Sequence, residues 1–197
     1  TAQQIEIAGI PTLALRINYV GELGWELHPA MADLPALYEA VWAAGEEHGI
    51  ADFGLYAMNS LRMEKGYRGW GAELTNEVTM LEADMARFYA SAKEDFVGKA
   101  VTETNEAGPL RLVYFEVEAQ DADVRGGEPI FLGDTCVGVT TSGGYGYSVE
   151  KSLGFGYVPP EQAEPGSVID IGLLDARCRA TVLAEPIYDP ANERLAS

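Results

Sequence analysis

The chain has 197 residues, 47% hydrophobic and 22% charged, the composition of a soluble globular protein able to bury a core. Its 13 Lys and Arg against 31 Asp and Glu give a formal charge of −18, which argues against a nucleic-acid partner and disfavours an anionic membrane surface. Acidity of this kind serves solubility first, so an anionic ligand needs a local cationic pocket set against a repulsive field.

No apolar run approaches the ~20 residues of a membrane span, and no signal-peptide pattern opens the chain. The two cysteines, Cys136 and Cys178, sit in strand-like apolar contexts. They are expected to be half-buried core thiols and not a disulfide, which suits a reducing, cytoplasmic compartment. The chain lacks an initiator Met and its first residues already read as strands, as though it starts inside a larger fold. Dimerisation, or a partner chain that covers a raw sheet edge, is therefore expected.

In chain order, Leu13 to Tyr19 alternates Leu13, Leu15, Ile17 and Tyr19 against Arg16 and Asn18, a half-buried strand. Gly21 and Gly24 bracket a tight turn, and Trp25 to His28 resumes extended structure. Asp33 is a good helix N-cap with Pro35 in the first turn, and Leu34, Leu37, Tyr38, Val41 and Trp42 form one apolar face. Gly49 is a natural left-handed stop, and a second helix spans Gly54 to Lys65 before Gly66. Beyond Gly108-Pro109 short strands follow one another between Gly and Pro turns: Leu110–Val117, Pro129–Leu132, Thr135–Thr141, Leu153–Val158, Val168–Ile171 and Ala176–Leu183. That spacing predicts a small β-barrel or sandwich. The expected organisation is α+β, with a first unit over 1–106 and a β-barrel over 107–197.

Several familiar chemistries find no support. Neither His28 nor His48 belongs to a metal-ligand spacing, and no nucleophile elbow or phosphate loop is present. The glycines of SGGYGYS and GFGYV do not match a dinucleotide-binding fingerprint. No catalytic residue and no metal site is assigned.

One constellation carries chemistry. In YVGELGWEL (19–27) the turn can bring Glu26 back close to Tyr19. An aromatic face beside a fixed carboxylate suits a flat heterocycle with adjacent N–H donors, because a carboxylate accepts two parallel hydrogen bonds. On spacing alone, a surface hairpin with a solvated Glu is the simpler reading. The segment, however, resembles the Y-x-G-E-x-G-x-E motif of the glycine-cleavage T-protein family. GLYAMNSLRMEKGYRGWGAELTNEVTMLEADM (54–85), GDTCVGVTTSGGYGYSVEKSLGFGYV (133–158) and PIYDPANERL (186–195) resemble later blocks of the same family in order. EKGYRGWG and YDP lean toward its dimethylglycine and sarcosine dehydrogenase branch.

The resemblance implies the C-terminal part of a folate-binding aminomethyltransferase-like domain followed by a barrel. Glu26 would bind the pterin of tetrahydrofolate and Tyr19 would lie against it. Trp70, between Gly69 and Gly71, is a candidate for the folate tail or for a core lid. Arg68 is a candidate for the folate glutamate or for a surface ion pair. Arg62 and Glu64 read as structural, and Tyr145 and Tyr147 as turn and packing residues. Met58 stands where the glycine-cleavage enzyme has a folate-contacting arginine, so that contact is not carried over. The family's catalytic aspartate, and the FAD domain of the dehydrogenase branch, would lie upstream of these residues. The implied function is one-carbon transfer from a small methylated amine to tetrahydrofolate, with a missing N-terminal half or flavin domain as partner. A non-catalytic folate-binding regulatory or assembly module, a structural docking module and a folate-dependent O- or S-demethylase remain alternatives.

Overall fold

The computed structural model describes residues 1–104 and 108–196. The expected boundary at 106/107 lies outside the described residues. The first region opens with a three-stranded antiparallel sheet, β1 (Ala2–Ile7), β2 (Ile10–Leu15) and β3 (Glu26–Pro29), in that spatial order. Helices α1 (Leu34–Gly45), α2 (Leu55–Glu64) and α3 (Lys99–Thr104) follow. Between α2 and α3 the chain is mostly turns.

Two expectations about the sheet are corrected. The strand predicted to reach Tyr19 stops at Leu15, and its buried positions are Thr12 and Ala14, the opposite phase from the predicted Leu13 and Leu15 face. Small side chains occupy the tightly covered face, so the larger ones take the looser side. The turn after Leu15 is built by Asn18, whose Oδ1 accepts hydrogen bonds from the amides of Val20 (3.1 Å) and Gly21 (2.8 Å). Gly21 adopts φ +80°, and a Cβ there would meet the Lys65 side chain at 3.1 Å.

Asp33 does occupy the N-cap position of α1 but makes no side-chain capping bond, because a single 3-10 turn over Met31–Asp33 already leads the chain into the helix. Gly49 is left-handed as expected (φ +73°). Of the predicted apolar face of α1 only Leu37 is buried, while Leu34 and Tyr38 are about half exposed.

The second region is a closed barrel of β4 (Arg111–Val117), β5 (Pro129–Leu132), β6 (Thr135–Gly146), β7 (Lys151–Val158), β8 (Val168–Leu173) and β9 (Ala176–Val182), arranged β4-β7-β6-β5-β8-β9. Antiparallel pairing of β4 with both β7 and β9 removes every free edge. β4 is buried without a break from Leu112 to Phe115 because both of its faces are covered there. Val113, Phe115 and Val117 point into the barrel with Ile130, Ile169 and Ile171, while Leu112 and Tyr114 pack outside with Met63 of α2, Leu153 and Phe155. GFGYV follows the same alternation. A Cβ on Gly154 would meet the Phe115 ring at 2.6 Å, so glycine admits that ring on the inside while Phe155 and Tyr157 join the outer cluster.

Chain after the barrel returns to the first region. Lys65 at the end of α2 is almost wholly buried and pairs with Asp189 (3.1 Å to Oδ2, 2.5 Å to the backbone carbonyl). The Tyr188 amide donates to the Glu64 carbonyl at 3.2 Å, and the Tyr188 hydroxyl donates to Glu22. Both cysteines are free, but Cys136 is exposed on β6 and only Cys178 packs against the barrel core, which corrects the expectation of two half-buried thiols. No helix among the described residues is long and apolar enough to cross a membrane.

Candidate functional site

A cleft of about 500 Å³ opens where α2 meets the aromatic-glycine turn that follows it, and Tyr19, Met58, Arg68 and Trp70 all line it. Three of the four residues singled out from the sequence are therefore brought together. The fourth, Glu26, is not among the lining residues. It begins β3 opposite Leu15, its side chain is 51% exposed, and its Oε2 lies 3.1 Å from Nε2 of His28, two residues along on the same strand face.

Tyr19 reaches the cleft from the Asn18 turn and not from a strand. Its hydroxyl donates to the Arg68 carbonyl (2.8 Å), and its ring stacks on Tyr67 with centroids 6.0 Å apart and planes 16° from parallel. Burial raises the Tyr19 pKa, and Glu73 adds to this while Arg62 opposes it, so the hydroxyl stays a neutral donor. Trp70 stands 84% exposed at the rim, in a single parallel bridge with Leu74. The Arg68 guanidinium pairs with Asp84, donates to the Gly66 carbonyl (3.2 Å) and lies 5.7 Å from the Phe155 ring centroid. Its charge is thus engaged by Asp84, while its buried Nε has no hydrogen-bond partner among the described residues.

Beneath the cleft is a buried network that sequence reading did not assemble. Arg62 pairs with Glu73 at 3.2 Å, and both side chains are excluded from solvent. Glu73 also accepts from the Gly69 amide (2.6 Å), the Thr141 hydroxyl (2.6 Å) and the Ser142 hydroxyl (2.5 Å). Arg62 donates to the Tyr67 carbonyl (3.0 Å), to Ser142 Oγ (2.8 Å) and to Asn59 Oδ1 (2.8 and 3.0 Å). The Tyr157 hydroxyl donates to the Glu73 carbonyl at 2.8 Å. Every strong acceptor of the carboxylate is satisfied, the condition under which a buried charge is tolerated. One Arg–Glu pair thereby fixes α2, the Tyr67–Leu74 turn and barrel strand β6 to one another. Arg62 also lines the cleft itself. Glu73 carries no motif of its own, and its role shows in its contacts with Arg62, Gly69 and the distant Thr141-Ser142 pair.

Arranged this way, the cleft offers the Tyr19 ring backed by Tyr67, an exposed indole and a methionine, with a rigid floor and few free charges. That is a surface for a flat, partly apolar ring system. Among the described residues no group of His, Cys, Asp and Glu could hold a metal ion.

Comparison with known proteins agrees with this architecture. The GCVT N-terminal domain model matches residues 1–93, and the glycine cleavage T-protein C-terminal barrel domain model matches residues 111–189. Mouse mitochondrial dimethylglycine dehydrogenase is 42% identical over 198 residues, which are 98% of this chain and 23% of that protein. An aminomethyltransferase of Symbiobacterium thermophilum is 32% identical over 198 residues, covering 98% of this chain and 52% of its own length. Mouse mitochondrial sarcosine dehydrogenase is 34% identical over 206 residues, 22% of its length. The crystal structure of glycine cleavage system aminomethyltransferase T from Bartonella henselae superposes with a TM-score of 0.82 at 24% identity, over 91% of this chain and 50% of that one. The chain thus spans less than a quarter of the dehydrogenases and about half of the aminomethyltransferase. With its α+β first region joined to a closed barrel, it belongs to the glycine-cleavage T-protein family and carries the C-terminal part of that fold.

Proposed function

We propose that the chain is the tetrahydrofolate-binding part of a one-carbon transfer enzyme, of the aminomethyltransferase or dimethylglycine dehydrogenase kind. The observation that carries this reading is the cleft that gathers Tyr19, Arg68 and Trp70 over the Arg62–Glu73 floor. A pterin is planar and polar at one edge, and the residues present suit it. Tyr19, fixed by its bond to the Arg68 carbonyl and its stack on Tyr67, offers a face, and Trp70 offers a second aromatic surface at the rim. Glu26 lies outside the lining of the cleft, and its part is to take the N–H edge of a pterin that reaches beyond the rim; leaving His28 for that edge costs only an exposed contact. Arg68 contributes chiefly through its carbonyl.

When bound, tetrahydrofolate supplies the nucleophilic nitrogens that accept a one-carbon unit from a small methylated amine. This chain orients the cofactor, and such positioning is proximity catalysis. The proton chemistry, and any FAD-dependent oxidation of the amine, belong to residues outside this chain. Two free cysteines suit a reducing compartment, the cytoplasm or an organelle interior, and the dehydrogenase relatives carry "mitochondrial" in their names.

Calorimetric titration with 5-formyltetrahydrofolate tests the proposal. Saturable binding lost in Glu26→Ala and weakened in Trp70→Ala is the expected result. Absence of binding both to this chain and to the chain joined to an N-terminal half from a relative overturns it.

A further inference from the structure

Tyr19 and Glu26 belong to one short segment, YVGELGWEL, whose middle has little to hold it. β2 ends at Leu15 and β3 begins at Glu26, so residues 20–25 pair with no strand. Asn18 shapes the turn from within, Gly21 packs on Lys65, and Leu23 and Trp25 are about half exposed. Glu26 itself makes the last pair of its strand, opposite Leu15, and strand ends fray. Among the described residues, Glu22 is the only one of 20–25 with a hydrogen bond or ion pair that reaches beyond Asn18.

The partners of Glu22 come from the far end of the chain. The Tyr188 hydroxyl donates to Glu22 Oε1, Arg194 Nη1 donates to that hydroxyl at 3.0 Å, and the same Nη1 lies 4.0 Å from Glu22 Oε1. The Arg194 guanidinium also lies 5.4 Å from the centroid of the Tyr188 ring. Tyr188 is itself well anchored. Its amide donates to the Glu64 carbonyl, and the next residue, Asp189, pairs with buried Lys65. Both anchors sit at the end of α2, the helix that carries Met58 and Arg62 to the cleft. A line of contacts therefore runs from α2 through Tyr188 and Glu22 to the turn.

The Glu22 side chain is 43% exposed, so this bond adds little to the stability of the whole chain. What it fixes is position. We propose, resting on the folate reading above, that Glu22 and Tyr188 are positioning residues for tetrahydrofolate. Their bond holds the 20–25 turn, and through it the Glu26 carboxylate, at a set reach from the Tyr19 ring. Neither side chain lines the cleft, and neither touches the cofactor. The two carboxylates of the segment thus divide the work, Glu22 turned to the C-terminal chain and Glu26 left for the ligand.

The test is calorimetric titration with 5-formyltetrahydrofolate of wild type, Tyr188→Phe, Glu22→Ala, Glu22→Gln and the Tyr188→Phe/Glu22→Ala double variant. Urea unfolding of each runs beside it. Where binding needs the chain joined to an N-terminal half from a relative, the variants are made in that protein. Tyr188→Phe and Glu22→Ala should each weaken binding by about 2- to 10-fold, the worth of one hydrogen bond. The double variant should lose no more than the weaker single one, because both remove the same bond. Glu22→Gln keeps an acceptor and should recover most of the affinity. Amides of residues 20–25 should exchange faster in Tyr188→Phe, with urea midpoints near wild type. Wild-type affinity in Tyr188→Phe and Glu22→Ala, or additive losses in the double variant, overturns the proposal. So does a fall in urea midpoint with affinity unchanged, which is the mark of a purely structural clasp. Binding that is lost in Glu26→Ala but untouched in Tyr188→Phe sinks this proposal alone, whereas no binding by wild type in either form sinks the folate reading with it.

Discussion

The barrel and the region before it bury their apolar side chains by different means. The barrel closes on itself: β4 pairs on both sides, and Phe115, Phe155, Ile130 and Ile171 are sealed inside or beneath it. The first region leaves Met31, Phe53, Leu55 and Tyr56 mostly in water, and only half covers Leu34 and Tyr38 on α1. What order it has near the cleft is borrowed. α2 packs Met63 against the barrel, and the turn after it is held by Arg62 and Glu73 reaching Ser142. Apolar closure stabilises one region without reference to a partner, whereas a polar network stabilises the other only in register with its partner.

The sharpest way to break this contrast is to damage each region at its own anchor. Phe115→Ala should cost about 3–5 kcal/mol, the range for emptying a large aromatic site in a core. Urea unfolding should show the loss. Removing one partner of the buried pair, as in Glu73→Ala, should cost a similar ~3–5 kcal/mol because it strands the Arg62 charge. The two variants should nonetheless differ in hydrogen exchange. Glu73→Ala should release the amides of Gly69 to Leu74 while barrel amides stay slow, whereas Phe115→Ala should speed exchange in the barrel and in the turn that depends on it.

A pH series gives a smaller effect. Burial, then Glu73 and Glu82, push the Tyr157 hydroxyl up to about 12 against the opposing Arg68, from the ordinary 10.0. The unfolded chain therefore loses this proton first as pH rises. Stability from this group is whole below pH 10 and declines toward pH 12, by at most ~1.4 kcal/mol per pH unit. Urea midpoints measured across that window should fall, and Tyr157→Phe should fall less steeply. The smallest effect belongs to Asp33→Ala. Since Asp33 makes no capping bond, its loss should cost under ~0.5 kcal/mol, where a working N-cap gives about 1. Thermal unfolding would measure the difference.

What the sequence made legible follows the same division. Barrel strands were read nearly to the residue, Pro129–Leu132 in full, because β-branched runs between Gly and Pro turns are a local signal. β6 runs five residues past its expected end at Thr141 because its pairing with β7 carries the glycine-rich stretch along with it. In the first region the strand phase was inverted. Alternation of Leu13, Leu15 and Ile17 reports size and polarity, but the space available opposite Thr12 and Ala14 is a property of the assembled fold. Of the candidate site, the sequence offered residue types, and three of them, Tyr19, Arg68 and Trp70, share a cleft. The separation of Glu26 from it, and the use of Glu73 as its floor, depend on partners too distant in the chain for spacing to disclose.

The return of Tyr188 and Asp189 to α2 sets an order on synthesis. Lys65 leaves the ribosome more than a hundred residues before Asp189, its buried counter-charge. In a nascent chain the end of α2 must therefore keep its ammonium in water while the barrel between them is made and closed. Final docking of α2 at Lys65 and Glu64 is then a late event that reports completion of the barrel.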